Sequence, residues 1–122
     1  MIKRILLIDD EKDFCFFTKS NLEATGNFTV TICFDSSEAV DLAKKLKPDL
    51  ILLDVLMPGI SGTDRAASLK DDPDTKNTPV VFLTAIITDK ETSGGNVISG
   101  WPFVAKPVKI NELITVINKY IR

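Results

Sequence analysis

Five residues of this 122-residue chain combine reactive type with suggestive placement: Asp9, Asp10, Asp54, Thr84 and Lys106. Each ends or directly follows a short apolar run, so the question is what they could do if brought together. Carboxylates held close raise one another's proton affinity, and they stay ionised at neutral pH only beside a cation. Hard oxygen ligands in an open, water-accessible place suit Mg2+. Lys106, directly before Pro107, adds a compact positive charge that pairs with a carboxylate or with an incoming phosphoryl oxygen. Thr84 adds a hydroxyl. An acidic cluster, a metal, a lysine and a hydroxyl make a site for phosphoryl transfer, where positioning and charge neutralisation do most of the catalysis and an Asp carboxylate is an adequate nucleophile. The competing account, in which Asp9 or Asp10 merely caps the helix that follows, stays open at this point.

These residues need a scaffold that collects strand ends. Ile2 to Ile8 reads as a buried strand ending at Asp9-Asp10-Glu11, and Asp49 to Asp54 and Pro79 to Thr84 read the same way. Phe28 to Cys33 and Phe103-Val104-Ala105 are weaker strands. Helical patterns lie between them: Phe14, Phe17 and Leu22 form a first stripe, and Ala39, Leu42, Ala43 and Leu46 a second behind a Ser36-Ser37 cap candidate. Ile110, Leu113, Ile114, Ile117 and Ile121 give the clearest apolar face. Ser93-Gly94-Gly95-Asn96 weakens the segment from Thr88 to Gly100, which is expected to be a short or mobile helix. Strand and helix alternating five times imply right-handed crossovers and a three-layer α/β domain with a parallel sheet. In such sheets the functional crevice lies at the C-terminal strand ends. That rule selects Asp9, Asp10, Asp54 and Thr84 independently of any family.

Composition narrows the class. Hydrophobic residues make up 44% and charged residues 26% of the chain, as in an ordinary globular domain, and one domain spanning residues 1–122 without an output domain is expected. The net charge of -2 comes with no cluster of Lys and Arg, which argues against direct nucleic-acid binding. No apolar run approaches the roughly 20 residues a bilayer requires, so a cytoplasmic protein is expected. Cys15 and Cys33 fit neither a redox pair nor a zinc pattern and read as small buried hydrophobes. The sequence has no histidine, which removes Ser-His and Cys-His triads and means that any phosphohistidine must come from another protein.

Asp9-Asp10, Asp54 within Leu52-Leu53-Asp54-Val55-Leu56-Met57-Pro58-Gly59, Thr84-Ala85 and Lys106-Pro107 resemble, in this order and at these spacings, the signature of response-regulator receiver domains. These are the CheY-like modules of two-component phosphorelays, and the resemblance covers the whole chain. It implies a flavodoxin-like fold with a five-stranded parallel sheet in the order 2-1-3-4-5 and five helices. It implies that Asp54 is the phosphoacceptor, that Asp9, Asp10, Asp54 and the backbone carbonyl of Leu56 hold Mg2+, and that Lys106 binds the phosphoryl group across a cis Lys106–Pro107 bond. Thr84 and Phe103 would be the switch pair, the hydroxyl moving to the phosphoryl oxygen and the ring swinging inward. The implied partners are a sensor histidine kinase or a His-containing phosphotransfer protein and a downstream target or output domain. The latter would read the surface of the fourth helix, fifth strand and fifth helix. A monomer or weak phosphorylation-dependent dimer, catalysing only its own phosphorylation and dephosphorylation, is expected.

Several residues depart from the pattern. Phe103 has no phenolic hydroxyl to hold an outward rotamer, and the alternative is an ordinary core phenylalanine. Trp101, in the unusual Gly100-Trp101-Pro102, fits partner contact or plain packing. Leu56 and Ile86, two residues beyond Asp54 and Thr84, are apolar and cannot orient an attacking water, which predicts slow self-dephosphorylation. Phe16 lies off the first helical stripe and is a candidate docking point for a phosphodonor. A haloacid-dehalogenase-type phosphatase would need an Asp where Leu56 stands, and a flavin carrier would need a phosphate cradle where Asp9-Asp10-Glu11 would repel one. A receiver that had lost phosphorylation would lack one of the acids or the lysine.

Overall fold

The computed structural model describes residues 2–55, 62–84, 97–98 and 101–121. In chain order the elements are β1 (Lys3–Ile8), α1 (Lys12–Ala24), β2 (Phe28–Cys33), a 3-10 turn (Ser36–Glu38), α2 (Ala39–Leu46), β3 (Leu50–Asp54) and α3 (Gly62–Asp71). They continue with β4 (Val80–Thr84), β5 (Val97–Ile98), β6 (Trp101–Ala105) and α4 (Ile110–Tyr120). The sheet runs β2-β1-β3-β4-β6-β5. Its first five members pair in parallel, which is the expected 2-1-3-4-5 order with β6 as the fifth parallel strand. Among the described residues no helix is long and apolar enough to cross a membrane.

Alternation of side chains along each strand divides the core into two layers. Ile5, Leu7, Leu50, Leu52, Val81, Leu83 and Val104 point to one face, where Cys15 and Leu22 of α1 and Leu113 and Ile117 of α4 cover them. Leu6, Ile8, Ile51, Leu53, Val80, Phe82 and Phe103 point to the other, against Ala39 and Ala43 of α2 and Ala66 and Leu69 of α3. Burial on both faces is why β1, β3 and β4 are continuous apolar runs rather than alternating ones.

Four expectations are corrected. In α1 the inner positions belong to Cys15, Thr18 and Leu22, with Phe14 half-buried, whereas Phe17 is 52% exposed. Residues 15, 18 and 22 keep helical spacing, but small side chains take the inner positions close to the end of β1, where the Cys15 thiol donates to the Asp9 carbonyl at 3.4 Å. The cap before α2 comes from Asp35, whose side chain accepts from the Ser37 N–H at 2.9 Å, not from Ser36 or Ser37. Within the segment expected to be a weak helix, Val97–Ile98 forms a strand antiparallel to β6. β6 begins at Trp101, two residues ahead of the expected start. The rest of the Thr88–Gly100 segment lies outside the described residues. Four α-helices are found among the described residues, where five are expected for the whole chain.

Trp101 is half-buried and packs within the molecule. Its ring lies 5.7 Å from that of Phe82, and the Lys70 ammonium sits 5.6 Å from the indole centroid.

Candidate functional site

The rim of the sheet at the C-terminal ends of β1, β3, β4 and β6 collects the charges. Asp9 follows β1 directly, and its backbone N–H continues the ladder by donating to the Cys33 carbonyl at 3.0 Å. The side chain is fully buried. Its Oδ1 accepts the Glu11 N–H at 2.9 Å, the local turn contact expected of an acid ahead of a helix. Its Oδ2 faces the Lys106 ammonium at 2.7 Å. Asp9 therefore caps no N–H of α1 itself: one oxygen holds the N–H of Glu11, the residue before the helix, and the other turns into the site.

Asp54 is the last residue of β3 and is buried; its Oδ2 lies 3.5 Å from the same ammonium. Thr84 ends β4, also buried, and its carbonyl accepts the Lys106 N–H at 2.8 Å, which anchors the lysine backbone at the rim. The Lys106–Pro107 peptide is cis. The Lys106 side chain is 9% exposed, its ammonium 4.5 Å from the Phe14 ring centroid.

A third carboxylate completes the group. Glu11 lies 2.6 Å from Lys106 through Oε1, and carboxylate oxygens of Asp9, Glu11 and Asp54 lie within 4.8 Å of one another. Asp10, expected beside Asp9, is exposed and stands outside this cluster. Sequence reasoning missed Glu11 and Phe14. The signal for Glu11 was present in the unbroken Asp9-Asp10-Glu11 run, but which of three consecutive acids turns inward depends on how the chain leaves the strand and enters the helix. Phe103 is buried in the layer beneath α2 and α3. The Leu56 carbonyl and Ile86 lie outside the described residues.

The electrostatics follow from burial and crowding. Burial pushes the Asp9 carboxyl from 3.8 up to about 6, and the charge of Asp54 pushes the same way, against the pull of Lys106 and the Glu11 N–H. For Lys106, burial alone would lower the proton affinity, but hydrogen bonds to Asp9 and Glu11 and the charges of Asp9 and Asp54 hold it above the ordinary lysine value. Lys106 is thus firmly cationic and acts as the internal counter-ion of the cluster. Burial also pushes the Cys15 thiol up to about 12 and raises Cys33. Both cysteines are free and buried, in keeping with their reading as small hydrophobes.

Asp9 Oδ2 is buried and is met among the described residues by the Lys106 ammonium at 2.7 Å. An oxygen in that state retains acceptor capacity for a cation. With two further carboxylates within reach and no nitrogen or sulfur ligand among them, the donor set is compatible with Mg2+.

Beside the site, α1 exposes Phe16 and Phe17, and Phe34 follows β2. Phe16 and Phe34 meet edge to face with centroids 6.2 Å apart, and Lys12 lies 5.8 Å from the Phe34 centroid.

Comparison with known proteins adds an independent line. The family described as response regulator receiver domain matches residues 5–118. The chain is 30% identical over 122 residues to the phosphate regulon transcriptional regulatory protein PhoB of Rhizobium meliloti, covering 100% of this chain and 53% of that protein. It is 28% identical over 121 residues to the polar-differentiation response regulator DivK of Brucella anthropi, covering 99% and 98%. The crystal structure of a response regulator from Desulfuromonas acetoxidans superposes with a TM-score of 0.82 at 35% identity, covering 96% of this chain and 94% of that one. The chain thus spans about half the length of PhoB and nearly all of DivK.

Proposed function

The chain belongs to the response regulator receiver domain family, and from that premise we propose that Asp54 is its phosphoacceptor, taking a phosphoryl group from a partner's phosphohistidine with Mg2+ bound at the rim. The observation that carries this reading is the convergence of Asp54, Asp9 and Lys106, from three separate elements, within ion-pair distance. Because the sequence has no histidine, the donor is a sensor histidine kinase or a His-containing phosphotransfer protein.

In the transfer, an Asp54 carboxylate oxygen attacks phosphorus, the P–N bond to the donor imidazole breaks, and the imidazole leaves with the bonding pair and takes up a proton. Asp9 and Asp54, with Asp10 and the Leu56 carbonyl as further candidates, would hold Mg2+. When bound, that ion neutralises charge on the transferring oxygens and draws donor and acceptor together. Lys106, held cationic, binds a phosphoryl oxygen once the group is on Asp54. Thr84 donates its hydroxyl to another, and Phe103 follows into the space vacated. The result is a change in the surface formed by β6, α4 and the helix expected between β4 and β5, which a downstream target or output domain reads. The chain catalyses only its own phosphorylation and hydrolysis, slowly in the latter case because Leu56 and Ile86 are apolar. The protein works in the cytoplasm as a monomer or weak phosphorylation-dependent dimer.

The exposed Phe16, placed on α1 beside the site, suits contact with the donor's helices.

The test is incubation with Mg2+ and phosphoramidate followed by intact mass. A gain of one phosphoryl group that is absent in Asp54→Asn supports the reading; an unmodified wild-type chain overturns it.

A further inference from the structure

Lys106 is shared unequally. Its ammonium is 2.6 Å from Glu11, 2.7 Å from Asp9 and 3.5 Å from Asp54, so the carboxylate proposed to carry the phosphoryl group holds the lysine least closely. The two nearer partners also differ from each other. Asp9 is buried and tied to the Glu11 N–H, whereas the Glu11 side chain is 62% exposed and makes no side-chain cap to α1. Glu11 is therefore the partner free to let go. Its side chain is also not needed at the helix start, where no side-chain cap is made.

We propose that Glu11 is a positioning residue that holds Lys106 on the Asp9 side of the site before phosphorylation and surrenders it to the phosphoryl group on Asp54. The inference rests on the acceptor reading above and deepens it. Glu11 and the phosphoryl group compete for one ammonium. A carboxylate on an exposed side chain offers one negative charge on a stem of high rotamer entropy, and pairs of that kind are weak. A phosphoryl group offers nearly two charges and three acceptor oxygens from a fixed position. The transfer of Lys106 from Glu11 to the phosphoryl group is thus downhill, but its cost is the Glu11 pair. That cost falls on the phosphorylated state, because only there must the lysine leave Glu11.

The experiment compares wild type with Glu11→Gln, using beryllofluoride at saturating Mg2+ as the phosphoryl probe and phosphoramidate for the rate. Glu11→Gln is expected to bind beryllofluoride more tightly and to be phosphorylated faster, each by about three- to tenfold, the scale of a partly exposed ion pair. Asp13→Asn, which removes an exposed charge in the first turn of α1, serves as the charge control and is expected to stay within about twofold. The gain in beryllofluoride affinity is expected to vanish when Lys106→Met is the background, as it must if the effect runs through the lysine. Calorimetric titration with Mg2+ alone supplies a readout without donor. A weakening of Mg2+ affinity by tenfold or more in Glu11→Gln, with slower phosphorylation, would make Glu11 a metal ligand and overturn the proposal. Equal affinity and rate in wild type and Glu11→Gln, or a gain that persists without Lys106, also overturns it while leaving Asp54 as acceptor. A wild-type chain that takes up neither phosphoryl nor beryllofluoride removes the acceptor reading and this inference with it.

Discussion

Leu52 and Asp54 are two residues apart on β3, point to the same side of the strand and are both buried, yet they belong to regions governed by different physics. The sheet interior around Leu52 is apolar on both faces and gains stability from every side chain it encloses. The rim around Asp54 encloses carboxylates whose charges repel and whose only cationic partner among the described residues of the cluster is Lys106. The interior makes the fold stable, and the rim spends part of that stability on keeping charge where water would otherwise screen it. Stability and function should therefore separate when substitutions are made in the two regions.

The largest effect is expected at the rim and should be purely functional. Asp54→Asn removes phosphoryl uptake completely, read as the absence of the added mass under Mg2+ and phosphoramidate, while its unfolding free energy is not lowered. A large stability loss in that variant would mean that the rim is structural. Next, Leu52→Ala should cost about 2–5 kcal/mol in denaturant unfolding, with the folded fraction still phosphorylated at Asp54. An inactive but stable Leu52→Ala would erase the division between the regions.

A smaller effect, of opposite sign, is expected at Asp9. Its folded proton affinity lies near 6, above the ordinary 3.8, so the native state binds the proton more tightly than the unfolded chain does. By linkage, the stability associated with this group is present below about pH 4 and is lost as pH rises through about 6. Asp9→Asn should therefore match wild type in acid and exceed it by roughly 1–3 kcal/mol above pH 6 without metal. The same variant should lose the stabilisation that added Mg2+ gives wild type. Urea unfolding at a series of pH values checks both, and a gap that narrows with rising pH would contradict the assignment.

The smallest effects are expected on the outer face of α1. Phe16→Ser and Phe17→Ser should each change stability by no more than about 0.5 kcal/mol. Phe16→Ser alone is expected to slow phosphotransfer from a phosphohistidine partner while leaving the rate with phosphoramidate unchanged. Equal slowing with both donors would remove the docking reading.

The same contrast explains what was legible in the sequence. Along α4 and the residue after it five isoleucine and leucine positions repeat at helical spacing, and the structure buries Leu113 and Ile117 with Ile110, Ile114 and Ile121 packed beside them. In α1 the apolar residues are crowded into Phe14-Cys15-Phe16-Phe17, so hydrophobicity alone does not select a face. Size decides instead, with Cys15 and Thr18 inward and two phenylalanines outward. The short antiparallel β5 was not legible either, since two residues carry no periodicity and the pairing with β6 is made only in three dimensions.

By itself the sequence determined the parallel α/β order and placed Asp9, Asp54, Thr84 and Lys106 at one rim. Continuous apolar runs, helical periodicity and polar residues at run ends are local signals, and the rules of chain crossover turn them into a parallel sheet covered on both faces, while the order 2-1-3-4-5 came with the family resemblance. Only the tertiary structure decided that Glu11 rather than Asp10 joins the cluster, and that Lys106 rests nearer to Asp9 and Glu11 than to Asp54. The physical reason is that neighbouring residues at a strand end diverge in direction, and a lysine side chain with several rotatable bonds selects its partners by the sum of burial, charge and reach. None of those quantities exists until the strands are assembled.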